Sequence, residues 1–202
     1  MSKVIILNAP PEGGKDSLCS YFLSVLPYSG NPLWVEHMSF ARPLKQINQI
    51  IYNLTDAEVK ELDSNHLLKK TPQDRFGGKS WRQCCIDVST GLKEEHGMDY
   101  FGINLVQRVD AMKHMGLLPN VIITDGGFDE EQVPLIERFG KDNYHVIKIV
   151  RNGFDYSQDS RKYIDCEKLG VKQHILNNTT GQLDQYMEDG YELISEILGG
   201  IE

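Results

Sequence analysis

The sequence predicts an α/β fold, in which a mostly parallel five-stranded sheet lies between two layers of helices. Three observations carry that expectation. A uniformly apolar run of strand length occurs at residues 4–7 (VIIL), and a second buried-strand signal at 121–125 (VIITD) ends in an acid. A strand buried on both faces reads as such a run rather than as an alternation. Segments with apolar residues three and four positions apart separate the runs, and strands alternating with helices argue for a parallel sheet wrapped by helices. The chain of 202 residues suits one domain, or one domain with an insertion, and shows no internal repeat.

The elements follow in order. After the strand at 4–7, Gly13 and Gly14 punctuate the chain, and Leu18, Phe22 and Leu26 keep helical spacing. Residues 33–35 (LWV) read as a second strand. Phe40, Leu44, Ile47, Ile51 and Leu54 hold a helical beat, with Pro43 tolerated in the first turn. Thr55-Asp56-Ala57-Glu58 reads as a cap opening another short helix. Residues 65–80 contain Lys69, Lys70, Arg75, Gly77, Gly78 and Lys79, and read as a mobile basic loop. Trp81, Cys84, Cys85, Val88 and Leu92 mark a helix; Phe101, Leu105, Val109 and Met112 mark the next.

The strand at 121–125 ends in Asp125, followed by Gly126 and Gly127. Residues 129–139 are helical by pattern, with Pro134 blurring the start. Residues 144–150 form a further strand that Arg151 ends, 152–173 are polar and irregular, and 174–176 form the last strand. Leu183, Tyr186, Leu193 and Ile197 belong to a closing helix. Two regions, about 37–118 and 152–173, exceed normal connector length, and in a compact α/β domain such excursions carry function.

Composition excludes several classes. The apolar content of 40% and charged content of 25% are those of a soluble globular chain. A net charge of -8 argues against a general nucleic-acid-binding surface, which would be basic, and leaves room for a nucleotide in a local positive pocket. No stretch is long and apolar enough to span a bilayer, and the N-terminus lacks the layout of a signal peptide. A cytoplasmic protein with reduced thiols is expected. The four cysteines have no C-x-x-C spacing and the six histidines no H-E-x-x-H or H-x-x-x-H pair, so neither a disulfide framework nor a nitrogen and sulfur metal site is expected.

The stretch NAPPEGGKDSLC at 8–19 nearly spells a phosphate-binding loop, in the strand-turn-helix context such a loop requires. Gly13 and Gly14 let the backbone curl towards an anion, and Lys15 can reach its outer phosphates. Ala9 stands where the strict pattern has glycine, a small change. Asp16 follows the lysine where Ser or Thr is usual, and Ser17 brings its hydroxyl one position late. A carboxylate beside phosphate oxygens is repelled unless a cation lies between them, which favours a magnesium role for Asp16. The plain alternative is a strand-to-helix turn whose acid answers the helix dipole. Asp125 stands where a second magnesium-directed carboxylate belongs.

The ordered set GGKDS (13–17), SFARPLK (39–45), SWRQCCIDVSTG (80–91), DYFGINLV (99–106), IITDGGFDEE (122–131) and HILNN (174–178) resembles the phage deoxynucleoside monophosphate kinases over most of the chain. The Gly-Lys-Asp-Ser/Thr variant is typical of that family. The resemblance implies a three-layer α/β/α P-loop NTPase kinase fold in one domain, with a helical acceptor-binding insertion at about 37–118 and an arginine-bearing lid at about 152–173. It implies ATP and Mg2+ as cofactors, a nucleoside monophosphate as substrate, a host-cytoplasmic location if phage-encoded, and a possible homodimer. One departure is that the family has an arginine before the aromatic residue that follows the strand acid, and here Gly127 precedes Phe128.

On this reading Lys15 and the loop N–H groups at Gly13 and Gly14 hold the β- and γ-phosphates. Asp16, Ser17 and Asp125 orient Mg2+ directly or through water. Arg161, with Arg151 or Lys162 nearby, closes over the transferring group, although charged loop residues are usually just solvated. Asn177 and Asn178 follow the last strand, where related kinases pass the adenine, and equally suit a plain turn. For the acceptor phosphate, arginine is the better bidentate cation; Arg82 is favoured over Arg75, against a surface ion pair. Lys45 belongs to the matching SFARPLK segment, and Phe40 or Trp81 could stack on the base, with Trp81 favoured as core. The histidines are read as structural. The alternatives are a P-loop kinase of a modified DNA base or another small alcohol, and a catalytically impaired nucleotide-binding protein acting through a partner.

Overall fold

The computed structural model describes residues 2–28, 34–114, 116, 119–157 and 159–199, without the side chains of 113 and 114. Along the chain the elements are β1 (Val4–Asn8), α1 (Lys15–Val25), β2 (Val35–Met38), α2 (Arg42–Ile51), α3 (Asp56–Ser64), α4 (His66–Lys70), β3 (Pro72–Gln73), β4 (Lys79–Ser80), α5 (Trp81–His96), α6 (Tyr100–His114), β5 (Asn120–Ile123), α7 (Asp129–Phe139), β6 (Tyr144–Val150), α8 (Cys166–Leu169), β7 (Lys172–Asn177) and α9 (Leu183–Leu198). They form two compact units, Met1–Phe40 with Phe101–Glu202, and Ala41–Tyr100.

The larger unit is α/β. Its sheet has the order β2-β5-β1-β6-β7, and every pairing in it is parallel. All five residues of β1 are buried, as a central strand covered on both faces requires. On one face Ile5, Leu7, Ile122, Ile147, Ile149 and Leu176 pack with Leu18 and Phe22 of α1 and with Tyr186, Ile194 and Ile197 of α9. Gly190 permits that approach, since a Cβ there would lie 2.4 Å from Leu18 Cδ1. On the other face Tyr144, in register with Val4, donates its hydroxyl to Gln132 of α7. Helices therefore cover both faces.

The smaller unit is built from α2 to α5 around Leu54, Leu62, Phe76, Trp81 and Cys84. Thr55 and Glu58 form a reciprocal capping box at the start of α3, as read from the sequence. Residues 65–80 are not the loop expected from their composition. They make α4 and then the antiparallel pair β3/β4, in which Pro72 lies opposite Ser80 and Gln73 opposite Lys79. The hairpin forms because Gly77 and Gly78 take left-handed φ values of 63° and 79°, while Phe76 is 2% exposed and packs on Tyr52 and Trp81. Trp81 is fully buried, as its core reading has it, and its Nε1–H donates to Asp63 Oδ1 at 3.0 Å.

Some boundaries shift. The second strand is Val35–Met38 rather than 33–35, and residue 33 lies outside the described residues. α2 is shorter than the beat of 40–54, because Phe40 and Leu54 are buried by positions beyond its ends. Asp125 lies two residues past the end of β5.

Because the sheet is all-parallel, every strand ends at the same edge, and strand connections lead in opposite directions on either side of β1. Ligands of open α/β sheets bind outside the carboxyl ends of the strands at such a reversal. The residues after β1, β2, β5, β6 and β7 meet there, and they include most of the predicted nucleotide-site residues.

Candidate functional site

The chain between β1 and α1 forms a tight hook. Gly13 N–H donates to the Pro10 carbonyl at 3.0 Å, and Gly14 has φ 101°, a left-handed conformation that caps α1. Glu12 is also left-handed, at φ 61°. The first intrahelical bond runs from Leu18 N–H to the Gly14 carbonyl, so the amides of residues 15–17 precede it. Gly13 is pressed against Ala9, since a Cβ there would lie 2.8 Å from Ala9 Cβ. Alanine at position 9 therefore fits the hook closely.

Lys15 curls into this hook. It is 7% exposed, and its Nζ donates to the Pro10 carbonyl at 3.3 Å and lies 3.7 Å from Asp16 Oδ2. Burial lowers its pKa from the ordinary value; Asp16 opposes that shift and the charge of Arg161 adds to it. An ammonium so placed gains from a polyanion.

Two distant residues hold the hook from outside. Asn178 Nδ2 donates to the Gly13 carbonyl at 2.9 Å, and Arg151 Nη1 to the Glu12 carbonyl at 2.7 Å. The Arg151 guanidinium also lies 4.3 Å from the Phe154 ring centroid. A cavity of about 290 Å³ opens between the hook and these supports. Glu12, Gly14, Asp16 and Ser17 form one side, and Arg151, Asn178, Thr179, Thr180, Gly181 and Tyr186 contribute to the rest. Asn177 is exposed at the end of β7 and does not line this cavity.

Asp125 is held by the residues that follow β2. Its Oδ2 accepts from Ser39 Oγ at 2.6 Å and its Oδ1 from Phe40 N–H at 3.0 Å. Phe40 is 4% exposed, with a ring carbon 3.6 Å from where a Cβ on Gly126 would lie. Its ring therefore packs in the core of its unit, which weakens the base-stacking expectation. Asp16 projects outwards, its side chain 73% exposed, with Ser17 beside it. Carboxylate and hydroxyl oxygens suit magnesium, which retains several waters, rather than a softer metal. Among the described residues no three His, Cys, Asp or Glu side chains form a metal cluster.

The segment after β6 is anchored rather than hanging free. Asn8, 1% exposed at the end of β1, donates Nδ2 to the Gly126 carbonyl (3.1 Å), Tyr156 Oη (3.0 Å) and the Lys162 carbonyl (3.4 Å), and its Oδ1 accepts Ile164 N–H (2.8 Å). Lys162 Nζ donates to Asp129 Oδ2 at 2.7 Å and so is committed to α7. Arg161 pairs with Asp159, and its stem lies over Gly127. Burial disfavours its charge, but the hydrogen bonds and charge of Asp159, aided by the charge of Asp125, outweigh burial and raise its pKa. A cation thus occupies the neighbourhood of Gly127 although residue 127 itself carries none.

No family model matches the chain, and no curated protein matches it. Among the described residues no helix is long and apolar enough to cross a membrane.

In the smaller unit, two of the expected acceptor-binding cations are paired with carboxylates. Lys45 Nζ lies 2.7 Å from Asp63 Oδ2, and Arg75 Nη1 lies 2.9 Å from Glu58 Oε1. Arg75 Nε also donates to Gln73 Oε1. Arg82 stands in the first turn of α5, after the Ser80 cap. Sequence patterning does not single out Asn8, Asp159 or Tyr186. Asn8 falls within the 8–19 segment, but an asparagine ending a strand carries no signal of its own.

Proposed function

We propose that this chain is an ATP-dependent phosphotransferase acting on a deoxynucleoside monophosphate. The observation that carries the reading is the cavity against the hook: Glu12, Gly14, Asp16 and Ser17 form one side and residues that follow β6 and β7 form the other, while the desolvated Lys15 lies within the hook itself. Its volume, about 290 Å³, is at the small end for ligand pockets and suits a nucleobase and sugar whose phosphates lie along the hook. The ordered resemblance to the phage deoxynucleoside monophosphate kinases supplies the substrate class.

In the reaction, an acceptor phosphate oxygen attacks the γ-phosphorus of ATP. The bond from that phosphorus to the β,γ-bridging oxygen breaks, and the electron pair leaves on ADP. Positioning and charge balance are the main requirements. Lys15 and the amides of the hook hold the phosphates. Arg161 balances charge on the moving group. Magnesium, which Asp16, Ser17 and Asp125 would hold directly or through water, would neutralise the polyphosphate. A phosphate acceptor is already nucleophilic at neutral pH, so no side chain is needed as a base.

The test is ATP binding and ATP consumption over a panel of deoxy- and ribonucleoside monophosphates, for wild type and Lys15→Ala. Turnover of a monophosphate that Lys15→Ala abolishes supports the reading. Turnover only with DNA or an unrelated alcohol replaces the substrate class. ATP binding without turnover of anything leaves a nucleotide-binding protein that acts through a partner, and unchanged binding in Lys15→Ala removes the phosphate-loop assignment.

A further inference from the structure

The Asp159 carboxylate grips the Arg161 guanidinium in a two-point pairing. Asp159 Oδ1 accepts from Arg161 Nε at 3.0 Å, Asp159 Oδ2 accepts from Nη2 at 2.7 Å, and Oδ1 also takes the Arg161 backbone N–H at 3.0 Å. The Asp159 side chain is only 2% exposed, against 22% for Arg161, so the acid faces inwards and the cation retains an opening. Two parallel hydrogen bonds between a planar guanidinium and a carboxylate fix orientation as well as distance.

Gly127 supplies the seat for the stem. A Cβ at position 127 would lie 2.5 Å from Arg161 Cβ, 2.8 Å from Cγ and 3.1 Å from Cδ, so even alanine would displace the side chain. The backbone on either side is already tied down, through Lys162 N–H to the Gly127 carbonyl at 3.1 Å and through Asn8 to Tyr156, Lys162 and Ile164. With the backbone docked and the stem seated, Asp159 controls where the guanidinium points. Both Arg161 and Asp159 act electrostatically on Lys15, and Asp125 acts on Arg161, which places all four charges in one field at the strand edge.

We propose that Asp159 is a positioning residue for phosphoryl transfer: it holds the Arg161 guanidinium on its Gly127 seat, so that the cation meets the moving phosphoryl group already oriented. Asp159 takes no proton and forms no bond to substrate. The role rests on the kinase reading above. Charge held in place before the reaction lowers the barrier because nothing has to reorganise when charge shifts.

The experiment is steady-state kinetics with ATP and the best monophosphate, with a fluorescent-ATP titration, for wild type, Asp159→Asn, Gly127→Ala and the double variant. Asp159→Asn keeps one acceptor oxygen and loses the charge and the second acceptor. The expected result is a fall in kcat of about tenfold or more, while both KM values and ATP affinity change less than about threefold. Gly127→Ala gives the same pattern by lifting the stem. The double variant falls no further than the worse single one, because both act through Arg161. If Asp159→Asn does not fold, as judged by circular dichroism, Gly127→Ala carries the expectation alone. A kcat within about twofold of wild type in a folded variant, or fully additive losses, overturns the positioning role and leaves the kinase reading standing. A wild-type protein that turns over no monophosphate overturns both.

Discussion

Asn178 Nδ2 donates to the Gly13 carbonyl at 2.9 Å, joining residues 165 positions apart. The bond ties the end of β7 to the glycine hook and lies beside Gly14, where a Cβ would sit 2.5 Å from that nitrogen. Asn178→Ala removes the donor and leaves a buried carbonyl to find another partner. The expected cost is about 1–3 kcal/mol of stability. ATP affinity should fall about five- to tenfold as the hook loosens, given that about 1.4 kcal/mol is a factor of ten. Urea midpoints and ATP titrations measure the two effects separately. A destabilised variant with unchanged ATP affinity would show that the hook holds its shape without this tie.

Asn8 has four hydrogen-bond partners around a side chain that is 1% exposed, its two N–H groups shared among three acceptors, and every partner belongs to the segments that follow β5 or β6. Its geometry matches a primary amide, with two N–H donors at one end and an acceptor at the other. Asn8→Leu keeps the volume and loses every bond. A loss of about 2–4 kcal/mol is expected, since several buried groups become unsatisfied together. The chain between Phe154 and Asp165 should then become the first site of cleavage in limited proteolysis. A variant with wild-type stability, cleaved elsewhere, would show that Asn8 does not hold this segment.

Arg82 and Arg75 both belong to the smaller unit. Arg75 pairs with Glu58 and lies 4.9 Å from the Phe76 ring centroid. Arg82, at the start of α5, remains the proposed ligand for the acceptor phosphate. Arg82→Ala is expected to raise the acceptor KM by the equivalent of about 1–3 kcal/mol, the worth of charge-assisted hydrogen bonds, with the KM for ATP unchanged. Arg75→Ala should lower stability by less than about 1 kcal/mol, because its ion pair is exposed to solvent. Acceptor titrations at saturating ATP distinguish the two. An unchanged acceptor KM in Arg82→Ala removes that residue from the site.

The sequence revealed the sheet where burial imposes a pattern. β6 and α7 begin and end where the apolar run and the helical spacing place them, because each packs most of one face against the core. The hairpin at 72–80 was invisible because strands of two residues have no period, and its one strong anchor, Phe76, sits among lysines and glycines. The site divides the same way. Lys15, Asp16 and Ser17 were legible from spacing, and Asn178 from its place after a strand. Asp159 was not, since a carboxylate two residues before an arginine in a polar stretch looks like any solvated loop. Only the Gly127 clearance and the 2% exposure of its side chain single it out.

His145 and His174 give the fold a pH dependence in a narrow window. They sit on neighbouring strands with His145 Nδ1 and His174 Nε2 3.2 Å apart and the rings stacked at 5.4 Å. Burial, then the charges of His174, Lys172 and Lys3, lower the His145 pKa to about 4, against an opposing backbone contact at Asp142. Burial also lowers that of His174, with Glu196 opposing. An unfolded histidine titrates near 6.5, so between about 6.5 and 4 the unfolded chain binds a proton that the native state refuses. Stability contributed by the neutral ring is complete above about 6.5 and is lost as pH falls towards 4, by at most about 2 kcal/mol after solvent screening. Asp129 acts lower down. Burial favours its neutral form, but hydrogen bonds from Lys162 and the Asp165 N–H outweigh this and hold its pKa below the usual carboxylate value. Its contribution therefore persists through the histidine window and is lost only as pH falls through that lowered value. Urea midpoints measured from pH 7.5 to 4 should slope downwards in wild type and flatten in His145→Gln. An equal slope in both proteins would assign the acid sensitivity to groups other than this pair.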